Sequence, residues 1–420
     1  MKNYIIVAIE RLFIVFFKII SLFLMMQYLS VAEMGIVAIL TIFFGLSTLV
    51  LDSGFSGAFL RKEKIEKADY DFLYTNSLLL ALLLYISSVL ISYFLGNIKN
   101  IDNLYIYVSI MMLSIFLKNK IIVFNLFLLS KRDFKEIAKI NNISQIFSFF
   151  ILLFLLLNNF KIYSFVFQIL LESFFVYFLY YRKNYFNCVF NLKYSNYVNE
   201  MKIAYSTLIS SLVRNSYEYF LSFFILNNYG IKSLGMYSQA NKVNSLFTTS
   251  FMGIVDKVTY VTYTKIDGKE LFKKFNFIFF ISVCISSLIL LISVFFIKMV
   301  VRDYLSSEWT PILEFIPYLM ICALFTVADL NIRTLIKAKL KSFFILKNEF
   351  LKKGIALLIL LFLGFLNVEF NSLIKSIVLI SLISFLISVL SVIRYLKYNT
   401  GFLLNIIFLF IIAIVGWSLL

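Results

Sequence analysis

Long apolar runs alternate with short polar breaks along the whole chain. Runs of about 17–25 apolar residues are long enough to cross a bilayer as helices. They fall at 5–28, 35–59, 73–95, 104–128, 140–158, 163–181, 203–227, 236–262, 275–297, 311–332, 350–367, 373–393 and 402–419. The polar stretch 182–202 divides them into six and six, with a thirteenth at the end. The pattern predicts an all-α polytopic membrane protein. It has about 12–13 transmembrane helices in two pseudo-symmetric six-helix bundles. The expected divisions are an N-terminal bundle at 1–181, a cytoplasmic linker at 182–202, a second bundle at 203–393, and an extra transmembrane helix within 394–420. The first run carries Glu10 and Arg11 and has no small-residue cleavage site, so it reads as a span rather than a leader.

A weak internal repeat supports the two-bundle reading. At an offset of 200 residues, Gly35 falls on Gly235, Leu46 on Leu246 and Thr48 on Thr248. Repeats of this kind are a transporter plan.

Composition narrows the class. Of 420 residues, 62% are hydrophobic, and mean hydropathy is +0.94. Surface-to-volume scaling leaves no soluble fold able to hide that much apolar surface. Histidine is absent, which removes imidazole triads, metal sites and proton relays. Cys188, Cys284 and Cys322 have no metal-site spacing. No catalytic residue, metal or cofactor is expected. The loops are too short for the large outer loop that membrane glycosyltransferases and polymerases use.

Net charge is +17, from 39 Lys and Arg against 22 Asp and Glu. With a cytoplasmic N-terminus, 26 of the 39 basic residues fall on inner segments, 5 on outer loops and 8 inside spans. That asymmetry is a topology signal, so a nucleic-acid partner is not needed to explain the charge. The N-terminus is expected on the cytoplasmic side.

The basic residues inside spans carry the functional reading, because charge in hydrocarbon is costly and usually faces a cavity or partner. Thr207, Ser211, Arg214 and Glu218 share one helical stripe in the seventh span. Ser238, Asn241, Lys242, Ser245 and Thr249 share a face of the eighth. Thr41, Gly45, Thr48, Asp52 and Ser56 form a stripe in the second. Arg11 and Lys18 lie seven apart in the first, with Glu10 alongside. Lys118 and Lys120 lie within the fourth span, Glu172 in the sixth and Asp329 in the tenth. An excess of cations suits an anionic ligand, since Arg grips phosphate through a planar fork and Lys acts as a point charge. A diphosphate-linked lipid satisfies such a site with its tail still in the bilayer.

Four short motifs carry a family resemblance. They are Tyr28-Leu29-Ser30-Val31-Ala32-Glu33-Met34-Gly35, Leu51-Asp52-Ser53-Gly54-Phe55-Ser56-Gly57, Ser130-Lys131-Arg132-Asp133-Phe134 and Leu234-Gly235-Met236-Tyr237-Ser238. In order and at this topology they resemble the bacterial polysaccharide flippases, exporters of O-antigen and capsule repeat units. That group belongs to the superfamily holding the multidrug (MATE) exporters and the lipid II flippase. The resemblance spans most of residues 1–275.

It implies a MATE-like fold and alternating-access transfer of an undecaprenyl-diphosphate-linked oligosaccharide from inner to outer leaflet, without covalent chemistry. Arg214, Lys242, Arg11 and Lys18 would contact the diphosphate. Asp52, Glu10 and Glu218 would serve ion coupling or gating, with H+ or Na+ as counter-ion. Implied partners are membrane lipids, a polysaccharide polymerase and glycosyltransferases. The alternatives are a multidrug/cation antiporter of the same fold and a membrane glycosyltransferase or polymerase.

Overall fold

A computed structural model describes residues 2–52, 54–62, 64–183, 188–190, 197–266, 268–339, 342–396, 402, 405–410 and 412–413. Within some helices it leaves side chains undescribed, Arg11 among them. The described residues hold twelve α-helices, one short 3-10 turn and no strand. Eight of the helical stretches are long and apolar enough to cross a membrane.

The helices are α1 (Lys2–Tyr28), α2 (Val31–Asp52), α3 (Phe55–Phe59), α4 (Lys67–Lys99), α5 (Leu104–Ser130), α6 (Phe134–Leu157) and α7 (Ile162–Tyr181), followed by α8 (Val198–Lys265), α9 (Gly268–Tyr304), α10 (Ile312–Lys339), α11 (Ser342–Phe365) and α12 (Phe370–Leu396). The seventh and eighth apolar runs form the two arms of α8. They meet at Gly230, whose φ of 82° and ψ of 179° break the helix. Only glycine adopts that backbone without strain.

The motif residues set where helices start and stop. Ser30 and Glu33 form a reciprocal cap on α2: the Ser30 amide donates to Glu33 Oε2 at 2.8 Å, and the Glu33 amide to Ser30 Oγ at 3.3 Å. Arg132 takes a left-handed φ of 58° after α5, and Asp133 then caps α6 by accepting from the Glu136 amide at 3.1 Å. Gly54, with φ 77°, links α2 to α3. A Cβ there would collide with Thr207 and lie 2.7 Å from the Ala204 carbonyl, so glycine is required twice over. Asn100, Asn103, Asn159 and Asn367 also take positive φ in tight turns, which Asn tolerates better than most residues.

The chain forms two compact units, Met1–Leu212 and Val213–Leu420. In the first, α5 packs on α4, α7 and α2, while α6 packs on α7 and α1. In the second, α10 packs on α9, α11 and α12. The C-terminal segment is helical at 405–410. Phe402 packs on Phe275 and Phe279, Phe410 on Phe325 and Phe385, and Asn405 donates to the Asn276 carbonyl at 2.9 Å. It therefore folds onto the second unit. Most of the run beyond it, to residue 420, lies outside the described residues.

Residues leading into α8 are clamped to the first unit. Lys62 pairs with Asp69 at 2.8 Å and Glu200 at 3.2 Å, and its ammonium sits over the Phe59 and Tyr197 rings. Burial works to lower its pKa, but hydrogen bonds and charge from Asp69 and Glu200 prevail and raise it. Tyr197 stacks on Phe72 at 4.0 Å. The Val189 amide donates to Asp71 Oδ1 at 2.8 Å. Burial, with Asp71 nearby, pushes the Cys188 thiol up to about 12.

Candidate functional site

In the first unit, the polar residues of α5 meet partners on neighbouring helices. Lys118 lies with its ammonium 5.1 Å from the centre of the Phe44 ring on α2. Lys18 on α1 and Glu172 on α7 are within electrostatic range of it. Among the described residues, neither Lys18 nor Lys118 has a carboxylate within 4.0 Å. Glu172 and Lys18 thus act on Lys118 in opposite senses. Lys118 is partly enclosed and Lys18 is exposed. Lys120 donates to the Tyr177 hydroxyl at 3.3 Å. Asn119 accepts from Ser77 and Asn125 from Tyr180, both at 2.5 Å.

The other proposed residues of this unit have local partners. Glu10 is 9% exposed and accepts from Asn141 Nδ2 at 2.7 Å, which ties α1 to α6. Asp52 accepts a hydrogen bond from Ser56 across the α2–α3 junction. Thr41 and Thr48 bond back to Val37 and Gly45 carbonyls, so the rest of that stripe serves its own helix. The side chain of Arg11 lies outside the described residues.

In the second unit, Arg214 and Glu218 are both exposed on the first arm of α8. Glu218, Arg333 and Glu349 lie within electrostatic range of Arg214. Arg333 and Glu349 are themselves paired at 3.5 Å, between α10 and α11. Three residues after Arg214, Tyr217 lies beneath the Lys353 ammonium, 5.3 Å from its ring centre. Lys242 is partly enclosed on the second arm of α8. Part of that arm's polar face is used for packing: Asn244 donates to the Leu319 carbonyl of α10 at 3.0 Å, and Gln239 is fully buried.

Sequence reasoning left a network out of the site. Lys352 of α11, 3% exposed, binds Asp329 of α10 at 2.7 Å, and Ser388 of α12 donates to the same carboxylate. By sequence position, Lys352 falls among the basic residues of an inner segment. Its signal was Asp329, an acid inside an apolar run, which needed a partner.

Among the described residues, no group of three or more Cys, Asp or Glu is arranged to hold a metal ion. The residues named above are charged and polar groups set within apolar helices.

Several solved structures share this fold. An inward-facing multidrug resistance MATE family transporter of the MOP superfamily matches with TM-score 0.71 and 13% identity, covering 96% of this chain and 98% of that one. The lipid II flippase MurJ in an inward closed conformation matches with TM-score 0.69 and 15% identity, covering 99% and 98%. A MOP superfamily transporter from Pyrococcus furiosus, described as having a binding pocket of reversed polarity, matches with TM-score 0.55 and 14% identity, covering 98% and 96%. The protein thus has the MATE-like fold, and its many apolar helices make it a multi-pass membrane protein. The profile of the polysaccharide biosynthesis protein family matches residues 24–276, more than half of the chain, and the chain belongs to that family. No curated protein sequence matches it.

Proposed function

We propose that this protein is a flippase. It carries an undecaprenyl-diphosphate-linked oligosaccharide across the cytoplasmic membrane by alternating access, coupled to an ion gradient. The observation that carries this reading is the pair Lys18 and Lys118, with Glu172 as the one acid in electrostatic range of Lys118. Such a cluster holds net positive charge within apolar helices, where it strengthens attraction to a diphosphate. Membership of the polysaccharide biosynthesis family supports a glycan cargo. A fold shared with the lipid II flippase accommodates a lipid-linked one.

Lys18, Arg11, Arg214 and Lys242 contact the diphosphate in this reading. Lys118 joins them. Asp52, Glu10 and Glu218 gate the transporter or carry the coupling ion. The N-terminus is cytoplasmic, and the Lys-rich segments face the same side.

The test is surface-glycan export in cells that lack the gene and carry either the wild type or Arg214→Ala with Lys242→Ala. Export should fall at least about tenfold at unchanged protein level, the loss of roughly one charge-assisted contact. Full export by the double variant would overturn the diphosphate site. Export of cationic dyes instead would assign the protein to the antiporter class.

A further inference from the structure

One cavity belongs to none of these residues. It has a volume of about 380 Å³ and lies where the end of α9 meets the starts of α10 and α12. Lys298, Glu314, Asn371 and Lys375 bring polar groups to it, and Phe315 and Pro317 are among its apolar walls. The Lys375 ammonium lies 5.7 Å from the centre of the Tyr318 ring. Among the described residues, Lys298, Lys375 and Glu314 form no ion pair.

The surroundings identify the kind of ligand. Lys298 continues an outward apolar stripe of α9, on which Leu291 is 58% and Phe295 75% exposed. One turn below Lys375, Leu379 is 58% exposed on α12. Helix faces this apolar and this exposed are lipid-facing in a membrane protein. Both lysines thus stand at the ends of lipid-facing stripes, the level at which long cationic side chains meet headgroups. The cavity also carries a carboxylate, which repels a purely anionic group. Two ammonium groups, one carboxylate and one amide together match a headgroup with a phosphate and a separate hydrogen-bond-donating cation.

We infer that this cavity is a binding site for the headgroup of an aminophospholipid, phosphatidylethanolamine in chemistry. Lys298 and Lys375 hold the phosphate, Glu314 takes the primary ammonium, and Phe315 and Pro317 cover the glycerol. Phosphatidylcholine fails because its quaternary ammonium has no N–H to donate. Phosphatidylglycerol fails because it brings no cation to Glu314. The site is independent of the cargo reading.

Native mass spectrometry of the full-length protein, given equal amounts of the three lipids, tests this. The wild type should retain phosphatidylethanolamine about tenfold over phosphatidylcholine, the factor expected of charge-assisted contacts. Lys298→Gln with Lys375→Gln should lower retention of all three lipids, since each carries the phosphate. Glu314→Gln should make phosphatidylethanolamine and phosphatidylglycerol equal while total lipid retained stays the same, a readout that a folding defect does not produce. Equal retention of all three lipids by the wild type, or an unchanged preference in Glu314→Gln, would overturn the site. Displacement by millimolar soluble glycerophosphoethanolamine would overturn its lipid character.

Discussion

The two units handle embedded charge differently. In the second, Asp329, Lys352 and Ser388 join three helices, and Arg333 faces Glu349 on the next helix. In the first, Lys18 and Lys118 have a single carboxylate, Glu172, in range of Lys118 and none within 4.0 Å among the described residues. A closely paired buried charge fixes helix positions. A cation with only distant compensation keeps attraction in reserve for a ligand. Embedded charge therefore does not by itself mark a binding site. The distance to the nearest opposite charge separates the two roles.

The largest effect expected from this contrast is on folding of the second unit. Lys352→Ala leaves the half-buried Asp329 without its ammonium, a change that costs up to about 3–5 kcal/mol. The folded, monodisperse fraction should collapse in fluorescence-detected size exclusion. Lys352→Met with Asp329→Leu, which removes both charges, should restore it. A well-folded Lys352→Ala protein would erase the contrast.

Next in size is the reciprocal result in the first unit. Lys118→Ala should leave the folded fraction intact and cut glycan export roughly tenfold to a hundredfold, as loss of a charged hydrogen bond worth about 1.5–3 kcal/mol implies. Equal loss of folding and export would make Lys118 structural, like Lys352.

Gly54→Ala forces a left-handed residue and a Cβ against Thr207 and the Ala204 carbonyl. It should lower thermal stability by about 1–3 kcal/mol, read as a drop in Tm. An unchanged Tm would show that the α2–α3 junction adjusts freely.

The smallest effect is chemical. With its thiol pushed up to about 12 from an ordinary 9.0, Cys188 holds far less thiolate at pH 8 than a free cysteine. Alkylation of the folded protein at Cys188 should be roughly a thousandfold slower than after denaturation, rising only as pH approaches the raised value. Fast labelling would mean that the segment near Asp71 is not held down.

Much of the fold was legible in the chain because apolar run length is a direct consequence of bilayer thickness. Twelve runs correspond to the observed helices, with α8 holding two of them around Gly230. The motifs behind the family resemblance were legible as pattern, and their work is largely architectural. Ser30 and Glu33 cap α2, Asp133 caps α6, and Gly54 turns the chain. What sequence could not supply was pairing across helices. Lys352 lies 23 residues from Asp329, and Lys118 is joined to Lys18 and Glu172 only by the packing of α1, α5 and α7. The stripe on α8 was legible by spacing. That Asn244 spends its amide on the Leu319 carbonyl was not, since it depends on where α10 lies.

The central claim is that the first unit's lysines serve an anionic lipid-linked cargo. The direct measurement is leaflet-resolved transfer of a fluorescent undecaprenyl-diphosphate glycan in proteoliposomes, comparing the wild type with Lys18→Gln and Lys118→Gln together. The account predicts ready transfer by the wild type and loss of at least about tenfold in the double variant, with equal protein inserted. Wild-type transfer that persists undiminished in the variant would contradict it.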